Sequence, residues 1–209
     1  SPKTMQGRIL DFYNGINDLN NHIIRVLHSL SFVDDPTRIL RAVRFEQRLD
    51  FEIEPRTREL VESALPMLGR ITGERIRNEL TLLLNEPNPA DGFAKLDQRG
   101  ILRAIHPAFN LSPKLATDFQ QVSQISDGWI KAIMARQPED LLWHFVLLAV
   151  NPDDLPDVCQ RLLFNKELTH SFQQAAQFMQ DATALITLSA PISQLTRQLE
   201  HLSEMALAT

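Results

Sequence analysis

The sequence is poor in cysteine and contains no long apolar run. Its 209 residues include one cysteine, Cys159, which excludes an internal disulfide and a multi-thiolate metal site and suits a reducing compartment. The longest largely apolar stretch, residues 143–150, is far shorter than the roughly 20 residues that a membrane span needs. Because 44% of the residues are hydrophobic, the chain can bury a sizeable core. We therefore predict a globular cytoplasmic protein with no membrane partner.

Strand-like alternation is scarce, whereas apolar residues recur at steps of three and four along nearly every segment. This spacing predicts an all-α fold. Helix starts are predicted where proline follows a polar residue, because proline fits the first turn of a helix. Three such pairs occur at residues 35–36, 54–55 and 88–89. The short alternation at residues 51–53 is predicted to be a connector, and Gly100 a helix end.

The net charge of -5 argues against non-specific nucleic-acid binding by the chain as a whole. Charge is unevenly distributed, however. The first 80 residues carry 12 basic and 12 acidic side chains, so the acidic excess lies entirely in the second part. A local basic face in the first part could therefore still contact RNA.

The stretch SFVDDPTRILRAVRF, residues 31–45, places two acids directly before a series of arginines. Asp35 is predicted to cap a helix whose first residue is Pro36. Arg38 would then lie in the first turn, where the helix dipole disfavours a cation by roughly 0.3–1 kcal/mol. The spacing places four arginines on one helix flank, opposite the apolar residues. They are Arg38, Arg41, Arg44 and Arg48.

This acid and arginine pattern has two interpretations. A carboxylate only accepts hydrogen bonds and a guanidinium only donates them, so Asp35 and Arg38 together could match the mixed edge of a nucleobase. Alternatively, the arginines form a solvated, salt-bridged helix face that contacts phosphates without reading bases. The residues alone leave both possibilities open.

The same stretch resembles the nucleotide-recognition motif E/D-D-x-x-R-x-x-R of class II tRNA nucleotidyltransferases and bacterial poly(A) polymerases. Before it, residues 11–27 resemble the linker pattern of that family, D-x-x-x-G-x-x-D-L-x-x-x-x-I-R. After it, residues 70–84 resemble the motif S/T-G-E-R-I-x-x-E-L. Three motifs in the family's order make a specific match across roughly residues 9–106. Asp50 stands where many relatives have glycine, a change that aspartate tolerates.

The resemblance implies roles for individual residues of the recognition motif. Asp35 and Arg38 would read the Watson–Crick edges of incoming CTP or ATP, and Asp34 and Arg41 would support them. A later pair of residues lies where the family has a motif that braces the nucleotide-reading helix. This pair is Glu74 and Arg75.

The resemblance also implies a joint between a catalytic head and a helical neck. The matching positions in the linker are Asp11, Gly15, Asp18 and Arg25. Gly15 is predicted to allow a backbone turn that a side chain would block.

The family's catalytic head holds Mg²⁺ on a pair of carboxylates, but the sequence contains no D-x-D, no R-R-D and no adjacent glycines. We therefore expect no catalytic residue and no metal ligand in this chain, and Mg²⁺ in a head that lies outside it. The chain is expected to be an excised piece of a longer protein. Residues 1–30 would form the joint, residues 31–108 the helical neck that recognises nucleotide and RNA, and residues 109–209 a helical body.

The resemblance implies a template-independent enzyme that adds C, A or both to the 3′ end of tRNA. This chain would supply base selection and RNA contacts and would be inactive alone. Its partners would be a tRNA or other RNA 3′ end, ATP or CTP, and the catalytic head of the same protein. The alternative is a helical RNA-binding or protein-interaction module without base selection. His144 and the aromatic residues of the second part are predicted to be core.

Overall fold

The computed structural model describes residues 10–115, 117 and 138–187, and these residues form helices with one short pair of strands. The predicted all-α class is confirmed. In chain order the elements are α1 (Gly15–Asn20), β1 (Ile23–Ile24), α2 (Ser31–Asp34), α3 (Thr37–Leu49), β2 (Glu52–Ile53), α4 (Pro55–Ala64), a 3₁₀ helix (Leu65–Arg70), α5 (Gly73–Leu84), α6 (Pro89–Gln98), α7 (Ile101–Ile105), α8 (Pro138–Leu147), α9 (Leu155–Arg161) and α10 (Lys166–Thr187).

The strand pair ties the first described segment to the turn after α3. Strands β1 and β2 are parallel, with Ile23 opposite Glu52 and Ile24 opposite Ile53. The prediction that residues 51–53 only connect helices was therefore wrong. The chain reverses after α3, so the backbone N–H of Glu52 comes within 2.8 Å of the carbonyl oxygen of His22.

Two of the three predicted helix starts are confirmed, since α4 begins at Pro55 and α6 at Pro89. The third was wrong by one residue, because α3 begins at Thr37 and Pro36 occupies the capping position. Asp35 has extended backbone geometry, with φ -145°. Its carboxylate nevertheless accepts a hydrogen bond from the backbone N–H of Thr37 at 3.1 Å, which is the capping contact that the sequence predicted.

Left-handed backbone geometry occurs at the predicted helix end Gly100 and at Asp50, the position where many relatives have glycine. Asp50 has φ 53° at the end of α3, and Gly100 has φ 69° between α6 and α7. The prediction for Gly15 was wrong, because the left-handed residue is its neighbour Asn14, with φ 62°. A Cβ atom on Gly15 would make only an ordinary 3.7 Å contact with Asp11 Oδ1, so no side chain is blocked there.

Nearly all of the buried apolar side chains that the structure describes form one cluster, which extends from Phe32 in α2 to Ala176 in α10. The predicted core histidine is confirmed: His144 is 1% exposed, and its two ring nitrogens lie 2.8 Å from the carbonyl oxygen of Asp140 and 2.9 Å from Ser171 Oγ. Four of the predicted core aromatics are also buried, namely Phe109, Trp143, Phe145 and Phe172. Phe119 and Trp129 lie outside the described residues.

A helix that crosses a membrane must be both long and apolar. Within the described ranges, no helix combines the length and the apolar character needed to cross a membrane.

Candidate functional site

The carboxylate of Asp35 lies at the junction of α2 and α3 and is held through one of its two oxygens. Oδ1 accepts hydrogen bonds from Thr37 Oγ1 at 2.7 Å and from Arg75 Nη2 at 2.9 Å, in addition to the Thr37 N–H. Oδ2 receives no hydrogen bond from the residues that the structure describes. The side chain is 26% exposed. Asp35 is thus fixed in orientation with one acceptor oxygen free.

Arg38 lies on α3, one turn after Asp35, and a contact within the chain orients its side chain. Its Nη1 donates to Ser31 Oγ at 2.7 Å, and the residue is otherwise exposed. This contact explains why a cation is tolerated in the first turn of the helix. Among the described residues, Nε and Nη2 have no acceptor. A donor and an acceptor edge are therefore both available at this helix end.

The pKa of Asp35 favours its role as an acceptor. Burial alone would raise the pKa, but the hydrogen bonds from Thr37 and the positive charge of Arg75 outweigh it and hold the pKa below the ordinary 3.8. Asp35 is therefore ionised at neutral pH and can only accept hydrogen bonds.

The predicted supporting residues are not all brought to the same place. Asp34 is 59% exposed, and its carboxylate faces His28 at 4.0 Å rather than Asp35 or Arg38. Arg75 reaches Asp35 from α5, although 40 residues separate them in sequence. Glu74 is exposed, and within the described part of the chain it makes no ion pair. The structure thus brings Arg75, but neither Asp34 nor Glu74, into contact with Asp35.

The arginines of α3 do not all face solvent, so the prediction of one flank opposite the apolar residues was wrong for Arg44. Its side chain is 11% exposed and pairs with Glu79 at 3.8 Å and Glu86 at 3.2 Å. Arg41 is 48% exposed and lies 4.0 Å from Glu79. The reason is that α5 packs along α3, so that Glu79 on α5 and Glu86 just after α5 face Arg44, which residue spacing on α3 alone could not show.

Glu79 lies between the two arginines in a partly desolvated position. Burial raises its pKa above the ordinary 4.5, and the negative charge of Asp35 adds to the rise, while Arg44 and Arg41 oppose it. One of its oxygens, Oε2, is buried without a hydrogen bond, as is Arg44 Nε. This electrostatic link joins the charges of α3 and α5 into one network with Asp35.

The residues predicted to form the joint make a second, separate network. Arg25 donates from Nε to Asp18 at 2.9 Å and from Nη1 to Glu54 at 2.9 Å. The carboxylate of Asp11 accepts the backbone N–H groups of Gly15 and Ile16, both at 2.8 Å, and these bonds lower its pKa. The network ties the segment before α2 to the start of α4, and it does not touch Asp35.

The charged contact that sequence reasoning missed entirely is the buried pair of Glu46 and Arg99. Arg99 donates two hydrogen bonds to the Glu46 carboxylate, at 2.7 and 2.8 Å. Burial alone would raise the pKa of Glu46, but Arg99 and Lys95 outweigh it and lower the pKa. No sequence signal links the two positions, because α3 and α6 meet only through packing. Ser31 and Thr37, which orient the site, were also missed.

A metal site built from protein side chains usually needs three or more ligands that lie close together. Within residues 10–115 and 138–187, no three His, Cys, Asp or Glu side chains come together as metal ligands.

Comparisons with known proteins agree with the motif order. A family described as "Probable RNA and SrmB-binding site of polymerase A" matches residues 50–112. An A-adding tRNA nucleotidyltransferase of Geobacter sulfurreducens is 36% identical over 163 residues, which cover 75% of this chain and 18% of that protein. The A-adding tRNA nucleotidyltransferase of Halalkalibacterium halodurans is 36% identical over 135 residues, which cover 61% of this chain and 31% of that protein.

Solved structures show the same likeness over almost the whole chain. A Thermotoga maritima CCA-adding enzyme complexed with tRNA superposes with a TM-score of 0.73 and 29% identity, covering 95% of this chain and 49% of that one. A CCA-adding enzyme with ATP superposes with a TM-score of 0.76, covering 95% of this chain and 48% of that one. The chain thus spans less than half of each of these relatives, and it belongs to the tRNA nucleotidyltransferase family.

Proposed function

We propose that this chain selects the incoming base for an enzyme that adds C, A or both to the 3′ end of tRNA without a template. One observation carries the proposal. Asp35 and Arg38 lie one helical turn apart. Thr37 and Arg75 hold Asp35, Ser31 holds Arg38, and both side chains keep hydrogen-bonding atoms that no other described residue uses. An ionised acceptor beside a planar donor matches the Watson–Crick edges of cytosine and adenine, which both offer an amino donor and a ring acceptor.

The remaining residues of the recognition motif have supporting roles in this proposal. Arg75 holds Asp35 in its ionised form, and Arg41 extends the positive surface next to it. Asp34, whose carboxylate lies 4.0 Å from His28, and Glu74 are both exposed, and their proposed role is to support Asp35 and Arg38 once nucleotide or RNA is bound. The relatives complexed with tRNA, ATP and CTP support RNA and nucleotides as the partners.

The proposal divides the chain as the motif order suggests, into a joint (1–30), a helical neck (31–108) and a helical body (109–209). We propose that the transfer step takes place on a catalytic head of the same protein, where Mg²⁺ would be held, in the cytoplasm. Since the described residues offer no cluster of metal ligands, the chain's own contribution would be to bind and orient.

An apolar surface on the joint and on α2 supports a head domain as the partner. Eight large apolar side chains between residues 10 and 33 are 43 to 85% exposed, whereas the exposed large apolar side chains elsewhere in the described chain are scattered singly. They are Leu10, Phe12, Tyr13, Ile16, Leu19, Leu27, Leu30 and Val33. A patch of this kind usually marks an interface. Replacing Phe12 and Tyr13 by serine should lower the activity of the full-length protein without lowering the unfolding temperature of this chain.

The proposed function is tested by incorporation of labelled CTP and ATP into tRNA that lacks its 3′ end, using the full-length protein. Arg38→Lys keeps the charge but loses the planar fork, and Asp35→Asn replaces one acceptor oxygen by a donor. Both should reduce nucleotide discrimination strongly while the protein stays folded. Arg103→Lys, an exposed arginine on α7, serves as the matched control and should leave discrimination unchanged.

The same measurement separates base reading from a phosphate-binding surface. If Arg38→Lys discriminates between nucleotides as well as the wild type, the arginines only contact phosphates and base selection by this chain is refuted. Wild-type incorporation also reports directly which of the two nucleotides the enzyme adds.

A further inference from the structure

Helix α5 has two flanks with different contacts. On one, the site flank, Arg75 holds Asp35 and Glu79 pairs with the arginines of α3. The other, the far flank, faces the second half of the molecule, which the sequence left without a role. Residues two apart on a helix lie about 200° from each other, so the two flanks point in nearly opposite directions.

The far flank consists of three positions of α5 and the residue directly after the helix, spaced four residues apart, and each lies against a residue between 139 and 164. They are Gly73, Arg77, Thr81 and Asn85. Thr81 Oγ1 accepts a hydrogen bond from Trp143 Nε1 at 3.1 Å, and Asn85 Nδ2 donates to Glu139 at 3.1 Å. The whole length of α5 is therefore held from this side.

Arg77 makes the most extensive of these contacts. Its Nη1 donates to the carbonyl oxygens of Leu162 and Leu163, at the C-terminal end of α9, where helix carbonyls lack partners within the helix. Its guanidinium also lies 5.3 Å from the ring centroid of Phe164. Leu163 has φ 56°, a left-handed geometry that is rare for leucine and that this contact supports.

The start of α5 is fixed by close packing. A Cβ atom on Gly73 would lie 1.9 Å from the carbonyl oxygen of Arg161, so only glycine allows this approach. Arg161 in turn donates from Nη2 to the carbonyl oxygen of Leu68 at 2.9 Å, just before α5. The turn after α9 is therefore locked to the end of α5 that carries Arg75.

We propose that residues 139–164 position the base-reading carboxylate through α5, with Arg77 as the principal positioning residue. The inference rests on the proposed role of Asp35 in base selection. Arg75 can hold Asp35 only if the first turn of α5 stays at its observed distance from α3. Gly73 and Arg77 set that distance from the opposite side. Small displacements at such a site reduce selection strongly, by roughly 10- to 100-fold.

The test compares Arg77→Met and Arg77→Lys with a matched control in the full-length protein. Ser171→Ala is the control, because it removes a buried hydrogen bond to His144 that lies between α8 and α10 and does not involve α5. Two quantities are measured: the NMR resonance of the Arg75 side-chain Nε–H group, and the KM and kcat for CTP and ATP.

Arg77→Met should shift the Arg75 resonance and lower discrimination at least tenfold, mainly through a higher KM for the preferred nucleotide. The ammonium group of the lysine in Arg77→Lys can still donate to the carbonyl oxygens, so this variant should show both effects to a smaller extent. Ser171→Ala should lower the unfolding temperature and change neither. An Arg75 resonance that stays in place in Arg77→Met would overturn the inference, as would equal losses of discrimination in Arg77→Met and Ser171→Ala.

The measurements distinguish a failure of this inference from a failure of the proposed function. If Asp35→Asn leaves discrimination unchanged while Arg77→Met still shifts the Arg75 resonance, the mechanical link through α5 holds and base selection by Asp35 is refuted.

Discussion

The two ends of α3 use the same chemical groups for opposite purposes. At the N-terminal end, the carboxylate of Asp35 meets a guanidinium that is 53% exposed and keeps one oxygen free. At the C-terminal end, the carboxylate of Glu46 is 5% exposed and uses both oxygens to bind Arg99. The pairing of a carboxylate with an arginine therefore does not by itself show whether the pair serves recognition or stability. That depends on how deeply the pair is buried and on which of its hydrogen-bonding atoms remain unused.

The difference has a physical cause. An exposed ion pair adds little stability because water screens it, but its unused atoms remain available to a ligand. A buried ion pair must be fully hydrogen-bonded, because an unpaired buried charge is very costly. The first arrangement suits recognition, and the second holds α3 against α6.

The largest expected effect comes from breaking the buried pair. Arg99→Met leaves the Glu46 carboxylate buried without its main partner and should lower the free energy of unfolding by about 3 kcal/mol. Urea denaturation of the chain measures this loss. Arg103→Met, which removes an exposed arginine from the next helix, should change stability by less than about 0.5 kcal/mol. Similar losses in both variants would contradict the proposed difference between the two ends of α3.

The buried imidazole of His144 extends the comparison to the pH dependence of the free energy of unfolding. Burial lowers the pKa of His144 from 6.5 to about 4, so the folded protein keeps it neutral while the unfolded chain binds a proton. Its contribution to stability is complete above pH 6.5 and is lost as pH falls toward 4, by up to about 3 kcal/mol. His144→Gln should flatten the stability profile over this range. An unchanged slope would show that His144 is accessible to protons in the fold.

The side chain of Glu79 is 18% exposed, between that of Asp35 at 26% and that of Glu46 at 5%. Its effect on stability should differ from that of Glu46. Its raised pKa means that its charge is unfavourable in the folded state at neutral pH, and that this cost disappears as pH falls through the folded pKa. Glu79→Gln should therefore leave stability unchanged or raise it by up to about 1 kcal/mol. Thermal unfolding at pH 7 and at pH 5 measures this. A clear loss at pH 7 would mean that its pairing with Arg44 outweighs its burial.

The smallest effect on stability is expected at the exposed pair. Arg75→Met should cost less than about 0.5 kcal/mol, because the guanidinium is largely in solvent. It should, however, raise the pKa of Asp35, since a nearby positive charge is lost. Carbon-13 NMR titration of the Asp35 carboxyl group detects this rise. A stability loss as large as that of Arg99→Met would place Arg75 among the structural residues.

Much of the local structure could be predicted from residue patterns. The starts of α4 and α6, the left-handed Asp50 and Gly100, and the helical class all follow from rules that act over a few residues. The failures at Gly15 and Arg44 have different origins. At Gly15 the left-handed geometry belongs to the adjacent Asn14, a difference of one residue. At Arg44 the environment is set by acids that pack against the helix, and residue spacing on α3 does not contain that information.

By itself, the sequence determined the order of the motifs and the placement of Asp35 and Arg38 one turn apart, because helical periodicity and capping are local properties of the chain. Only the tertiary structure decided that Arg75 reaches Asp35, that Arg99 closes on Glu46, and that α5 is held on both flanks. These contacts join residues 40, 53 and 85 positions apart. Such pairs arise from the way helices pack, so they become visible only when the chain is folded.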